Sequence, residues 1–368
     1  MRYRRMPIEI ESPEQIGYQN IDANLAESSV TDAVLSALDF QLNDLVLCYG
    51  DHFGKPELRD LIVREAPGLT SDDVLITAGA ATALFIVNTA LLRPDDHLIV
   101  AVPNYSTNIE TPRAIGCQVD FLQLTLKEDF RVNLERLAAL IRPQTRLISL
   151  TTPHNPTGTM LRVDELQAIL QLVEKRDCRL LLDETYRDLA FGPLPPLAAS
   201  LSDRAISVSS MSKACGLPGI RIGWLLTRDR RLMETFLAAK EQISICNSVV
   251  DEEIAYQFLR RKVEHFARIR RHVNRNREIL EQWLAGESRL ECVRPQGGVV
   301  CFPHIRAEVD VNRFYQTLNE THKTFVGPGH WFEMDRRFMR VGFGWPDATQ
   351  LTRGLDSISL SLDEVCPR

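Results

Sequence analysis

The sequence predicts an α/β fold: one mostly parallel sheet of about seven strands, covered on both faces, followed by a smaller α+β unit. Three observations carry this. Short apolar runs alternate with amphipathic helical patterns from about residue 70 to residue 227. The runs are continuous rather than alternating, as strands buried on both faces should be. Beyond residue 227 the pattern changes to long helices and then isolated strand-like segments.

The elements follow in order. Strands are expected at 74–77, 97–102, 119–124, 147–151, 179–182, 205–209 and 220–226. Helical patterns lie between most of them; over 163–176, Leu166, Ile169, Leu170 and Val173 repeat at helical spacing. Stretches 231–239 and 249–284 read as long helices, and 289–302, 324–326 and 338–342 as strands of the smaller unit. The first 40 residues are too short and irregular for a domain and read as an arm packed on that unit. The expected division is an arm over 1–40, a large domain over 41–265 and a small domain over 266–368. No internal repeat or low-complexity segment interrupts this plan.

Composition narrows the function. Hydrophobic residues make up 44% of the 368 and net charge is −6, so the chain can bury a large core and offers no basic surface for nucleic acid. The richest basic stretch, 260–277, reads as the solvated face of a helix. Eight Cys occur singly with no C-x-x-C pair, which argues against a zinc site or a redox dithiol and for reduced thiols. No apolar run reaches membrane-spanning length, and MRYRRMPIEIESPEQ has no apolar signal core, so a cytoplasmic protein is expected.

The polar residues of interest follow the strands at their carboxyl ends. Ala78-Gly79-Ala80-Ala81 follows the first and opens a helix; Pro103-Asn104-Tyr105 follows the second. Pro153-His154-Asn155-Pro156-Thr157-Gly158, Asp183-Glu184-Thr185-Tyr186 and Ser210-Met211-Ser212-Lys213 follow three more. Ligands of open α/β sheets bind outside the carboxyl ends of strands, so five loops are aimed at one crevice. A small-residue loop opening a helix suits a phosphate. Ser210 and Lys213, one helical turn apart, are expected on the same side. Asp183 can hold a fixed negative charge against a cation, and Tyr105 can stack on a flat ligand. Phosphate, cation, flat ring and a nucleophilic Lys together describe pyridoxal 5′-phosphate (PLP).

The segments LCYGDHFGKPELR, TAGAATAL, VPNYST, TPHNPTGT, LLDETYRD, SSMSKACGLPGIRIGW and RFMRVGFG, in this order over nearly the whole chain, resemble the class I/II aminotransferases of PLP fold-type I. NLAESSV and VGPGHWFEMDRRFMRVGFG look most like a compact branch of that superfamily. The resemblance implies that Lys213 carries the cofactor covalently, that Asp183 pairs with its ring nitrogen, and that Tyr186 and Asn155 donate to its phenolic oxygen. It implies that Gly79, Ala80, Ala81, Ser210 and Arg221 surround its phosphate, that Tyr105 stacks on its ring, and that Tyr49 reaches a neighbour's phosphate in a homodimer. It implies that Arg340 grips the substrate α-carboxylate, beside Asn155.

Some positions depart from the family pattern. Ala81 stands where a hydroxyl residue is common, with Thr82 as a possible substitute. Ser29 stands near the place of an arm glycine, Glu27 either faces the substrate and suits a basic group or is a solvated or salt-bridged carboxylate, and His154 replaces a second Asn. Selectivity is expected from the arm, the loop near Asn108 and the segment around Asn247. Transamination between an amino acid and a keto acid is the expected reaction. C–S lyase, decarboxylase or arginine-derived cyclase chemistry on the same fold stays open, as does a non-catalytic PLP-binding module.

Overall fold

The computed structural model describes residues 1–366. Its centre is a seven-stranded sheet: β1 (Val74–Thr77), β2 (His97–Val102), β3 (Gln118–Gln123), β4 (Thr145–Thr151), β5 (Arg179–Asp183), β6 (Ala205–Ser210) and β7 (Gly223–Leu226). The order across the sheet is β1-β7-β6-β5-β4-β2-β3. All pairings are parallel except those of β7, which runs antiparallel to both its neighbours. β1 and β2 are buried along their whole length, which is why residues 74–76 and 98–102 are continuous apolar runs, with polar Thr77 and His97 only at the strand ends. The helix Val163–Arg176 turns Leu166, Ile169, Leu170 and Val173 inward, as their spacing predicts.

Three expectations change. The seventh strand begins at Gly223, not at residue 220, because Pro218–Ile220 forms a tight turn and Arg221 adopts a left-handed conformation (φ 48°). Left-handed backbone cannot continue a strand. The 249–284 helix is two helices, Val249–Arg260 and Lys262–Gly286, broken at Arg261 where φ and ψ become −109° and 25°. The second helix runs through positions 265 and 266. The 289–302 strand is two short pieces, Leu290–Glu291 and Val300–Cys301. Between them Gln296 donates its backbone N–H to Gly158 O at 2.7 Å, so the chain leaves the ladder to dock on the loop after β4.

The arm is tied in by backbone bonds. Ala23–Asn24 pairs in parallel with Thr324–Phe325. Gly342 N–H donates to Leu25 O at 2.7 Å, and Val30 N–H donates to Lys213 O at 3.0 Å. A segment that looks irregular in sequence therefore runs past the backbone of both Arg340's strand and Lys213. Among the described residues, no helix is long and apolar enough to cross a membrane.

Candidate active site

The loops after β1, β2, β4, β5 and β6 line one cavity of about 430 Å³. This is the size of a small-ligand pocket. Lys213, Asp183, Tyr186, Tyr105, Asn155, Ser210, Arg221, Ala80, Ala81, Arg340 and Glu27 all face it.

One corner is built for an anion. β1 ends at Thr77, and Gly79 (φ 84°) turns the chain into the helix Ala80–Leu91. A Cβ on Gly79 would sit 2.5 Å from Arg221 Nη2, and one on Gly223 would sit 2.6 Å from Ala80 N. The two glycines thus let the guanidinium and the first turn of the helix close on one another. Gly79 is not on the cavity wall; it makes the approach possible. Because β7 is antiparallel, Gly223 pairs with both Thr77 and Ser210, which brings Arg221 to the same sheet edge. Arg221 Nη1 donates to Pro218 O (2.7 Å) and Ser212 Oγ (3.3 Å), neither of which neutralises it. Free helix amides, the Ser210 hydroxyl and an uncompensated guanidinium together suit a phosphate dianion.

No helix follows β6. Residues 211–216 form a run of bends, with Ser212 N–H donating to Ser210 Oγ at 3.3 Å, so the expected helical turn from Ser210 to Lys213 is absent. Both still reach the cavity, through the fold-back of the loop. The missing hydroxyl at Ala81 is not restored by its neighbour: Thr82 Oγ1 donates to Ala78 O at 3.0 Å and does not line the cavity.

The middle of the cavity holds the acid and the rings. Asp183 Oδ1 accepts from Thr185 N (3.0 Å) and Thr185 Oγ1 (2.6 Å). Burial pushes the Asp183 carboxyl up from its ordinary range, against the pull of those bonds, so a cation nearby would hold it ionised. Tyr105 is held by its backbone N–H to Asn104 Oδ1 at 2.7 Å. The Tyr186 hydroxyl donates to Ser28 O at 2.8 Å, and burial pushes the phenol up to about 12.

Burial lowers the Lys213 ammonium; Glu27 opposes this, and Arg340 and Arg221 reinforce it. Arg340, only 3% exposed, donates from Nη1 to Asn155 Oδ1 (3.1 Å) and from Nη2 to Ala26 O (2.6 Å), and lies 4.9 Å from the Phe332 ring centroid. Its buried Nε has no partner. A buried guanidinium with an open donor and no carboxylate calls for an anionic ligand.

Several expectations are corrected here. Ser28, not Ser29, lines the cavity; Ser29 is buried behind it. Asn108 is in the helix Thr107–Ile115, bonded to Asn104 Oδ1 at 3.1 Å, and Asn247 is likewise off the wall. Tyr49, expected to serve a neighbour's site and not its own, is 80% exposed and lies off this chain's cavity, which leaves that expectation unchanged. His154 is buried with Nδ1 2.8 Å from Thr157 Oγ1, while Gly158 N–H donates to its carbonyl at 2.7 Å; it fastens the turn that presents Asn155. Glu9, Glu14 and Trp331 line the cavity without having been expected. Their sequence signal is weak: they reach the site through the path of the arm and of residues 327–332, not through strand ends.

An anion corner, an amine of lowered pKa, a buried acid short of a cation and a flat phenol fit pyridoxal phosphate and an amino acid together. The family model described as aminotransferase class I and II matches residues 19–358. Capreomycidine synthase of Streptomyces vinaceus is 32% identical over 332 residues, covering 88% of this chain and 82% of its own. Arginine–pyruvate transaminase of Pseudomonas aeruginosa is 30% identical, covering 77% and 74%. The crystal structure of a PLP-dependent aminotransferase from Streptococcus suis superposes with a TM-score of 0.93 at 28% identity, covering 100% of both chains. The chain belongs to the class I and II aminotransferase family, on the fold-type I scaffold, and its cofactor is pyridoxal 5′-phosphate.

Proposed function

We propose that the chain is a transaminase that moves an amino group from an amino acid to a keto acid. The observation that carries this reading is that Lys213 and the open-sided Arg340 face one cavity, beside Asp183 and the Arg221 corner. Arg221, Ser210 and the amides of Ala80 and Ala81 would hold the phosphate, and Asp183 would take the cationic ring nitrogen. Tyr105 would supply a flat face for the ring. When bound, the cofactor supplies an electron sink for the bond broken at the substrate Cα.

Arg340 binds the α-carboxylate, with Asn155 and Ala26 O fixing its guanidinium. This orients the Cα–H bond. Lys213 would serve first as the covalent attachment point and then, as a free neutral amine, would take the Cα proton and deliver it to C4′ of the cofactor. Burial lowers its pKa, which favours the neutral amine relative to an exposed lysine. Asn155, and Tyr186 once it exchanges Ser28 O for a new acceptor, donate to the phenolic oxygen. Val46, Leu47 and Tyr49, each more than 70% exposed, form an apolar strip that a second copy would cover, with Tyr49 completing the partner's site in a homodimer.

The similarity to capreomycidine synthase favours a second reading: ring closure within an arginine-derived amino acid, with the same residues in the same places. Incubation with β-hydroxyarginine and pyruvate separates the two. Transamination makes alanine and a keto acid that has lost the α-nitrogen. Ring closure bonds a guanidinium nitrogen to Cβ as the β-hydroxyl leaves as water, makes no alanine, and keeps the α-nitrogen in the product. Failure to form alanine from pyruvate with any amino donor, in protein that holds its cofactor, overturns the first reading.

A further inference from the structure

The cavity is lined by charges of both signs. Lys213, Arg221 and Arg340 come from sheet strands and the loops beside them; Glu9, Glu14 and Glu27 all come from the arm. Among the described residues none of the six has an ion-pair partner within 4.0 Å. The two sets act on each other nonetheless: the charges of Glu27 and Glu14 bear on both Lys213 and Arg340.

Glu27 is held in position from behind. Tyr18 OH donates to its Oε1 at 3.1 Å, and Asn24 Nδ2 lies 3.5 Å from the same atom. The Tyr18 ring stacks on Trp345 with 6.3 Å between centroids and 13° between planes. Both contacts fall on Oε1, so Oε2 has no partner among the described residues. The carboxylate is half-buried, and leaving it without a cation is costly. Arg340, 3% exposed and with Nε unpartnered, calls independently for an anion. The three carboxylates do not converge as a metal cage would: among the described residues no three acidic, His or Cys groups are grouped to hold a metal ion.

The geometry points to a basic amino acid as substrate, its α-carboxylate on Arg340 and its distal guanidinium or ammonium on Glu27, with Glu14 and Glu9 adding attraction from the rim. This rests on the reading of the site as an amino-acid site and goes further by naming the arm, and Glu27 within it, as the element that selects the side chain. An acidic side chain is repelled by the same wall. A neutral one leaves Glu27 uncompensated.

The test uses two ligands that lack an α-amine and so cannot react: δ-guanidinovalerate, with a cationic end, and δ-ureidovalerate, nearly the same shape and neutral. Their affinities for the cofactor-loaded protein are read by calorimetry, with the visible absorption of bound cofactor recorded on the same samples. The expected result is binding of the guanidino compound at least about tenfold tighter, as for hydrogen bonds between charged groups. Glu27→Gln should reduce that gap to about twofold, chiefly through loss of guanidino affinity and with the cofactor band still present, and Glu14→Gln should narrow it less. Equal affinities in the wild type, or a gap that survives Glu27→Gln, overturn the inference while the cofactor band leaves the underlying reading intact. Absence of the band overturns both.

Discussion

The floor of the cavity and the wall that closes it are built differently. Asp183, Ser210 and Asn155 sit at or just beyond the ends of buried parallel strands, with Asp183 fixed by two bonds from Thr185, Ser210 bonded to Ser212 N and Asn155 to Arg340. Glu9, Glu14 and Glu27 sit on an arm whose helices are four or five residues long and whose strand pairing is two residues. A cofactor that is the same for every substrate needs groups locked by the sheet. A substrate side chain needs groups that differ between relatives, and a short irregular segment can change without disturbing the core. The comparison assigns chemistry to the floor and choice of side chain to the arm.

Arg340 gives the sharpest way to break that assignment. Arg340→Gln removes the anion clamp from the floor, and with it the bond to Ala26 O, while every carboxylate of the arm stays in place. Loss of a buried charged partner predicts a fall in kcat/KM on the order of 10²-fold or more. The fall should be similar for donors with cationic and neutral side chains, since all share the α-carboxylate. A loss confined to basic donors would place selection on the floor and dissolve the contrast between the two regions.

A smaller effect probes how the floor is fastened. Burial holds the His154 imidazolium down at about 4, from an ordinary 6.5. Because the folded pKa is depressed, the unfolded chain binds more protons between these values, and stability falls as pH drops through that window. Near pH 5 the loss is about 2 kcal/mol. His154→Asn keeps a short polar side chain in the turn and cannot titrate, so denaturant midpoints of the variant should decline less than the wild type between pH 7 and about pH 5. Parallel declines would mean that His154 is not the group responsible.

The floor was legible in the sequence for a physical reason. Strands buried on both faces leave continuous apolar runs, and the polar residue that ends each run is delivered to the carboxyl edge by the fold itself. That argument found Asp183, Asn155 and Lys213 before any geometry. It misread the link from Ser210 to Lys213 as a helical turn, because a spacing of three cannot distinguish a helix from the folded-back bends of residues 211–216. It also ran the seventh strand through Arg221, whose left-handed backbone is set by contacts around Gly79 and Gly223. The arm was barely legible. Its position depends on Ala23 pairing with Thr324, three hundred residues away, and a two-residue pairing leaves no periodic trace. Only Glu27 could be picked out, by the segment around it, whereas Glu9 and Glu14 had no such marker.

The most direct test of the central claim is to find where the cofactor is attached. Protein loaded with pyridoxal phosphate should show a visible absorption band. Borohydride reduction should then fix the phosphopyridoxyl mass on the peptide that contains Lys213, as read by mass spectrometry, and Lys213→Ala should carry neither the band nor the mass. A fixed cofactor on another lysine, or no fixation in protein that shows the band, would contradict the account.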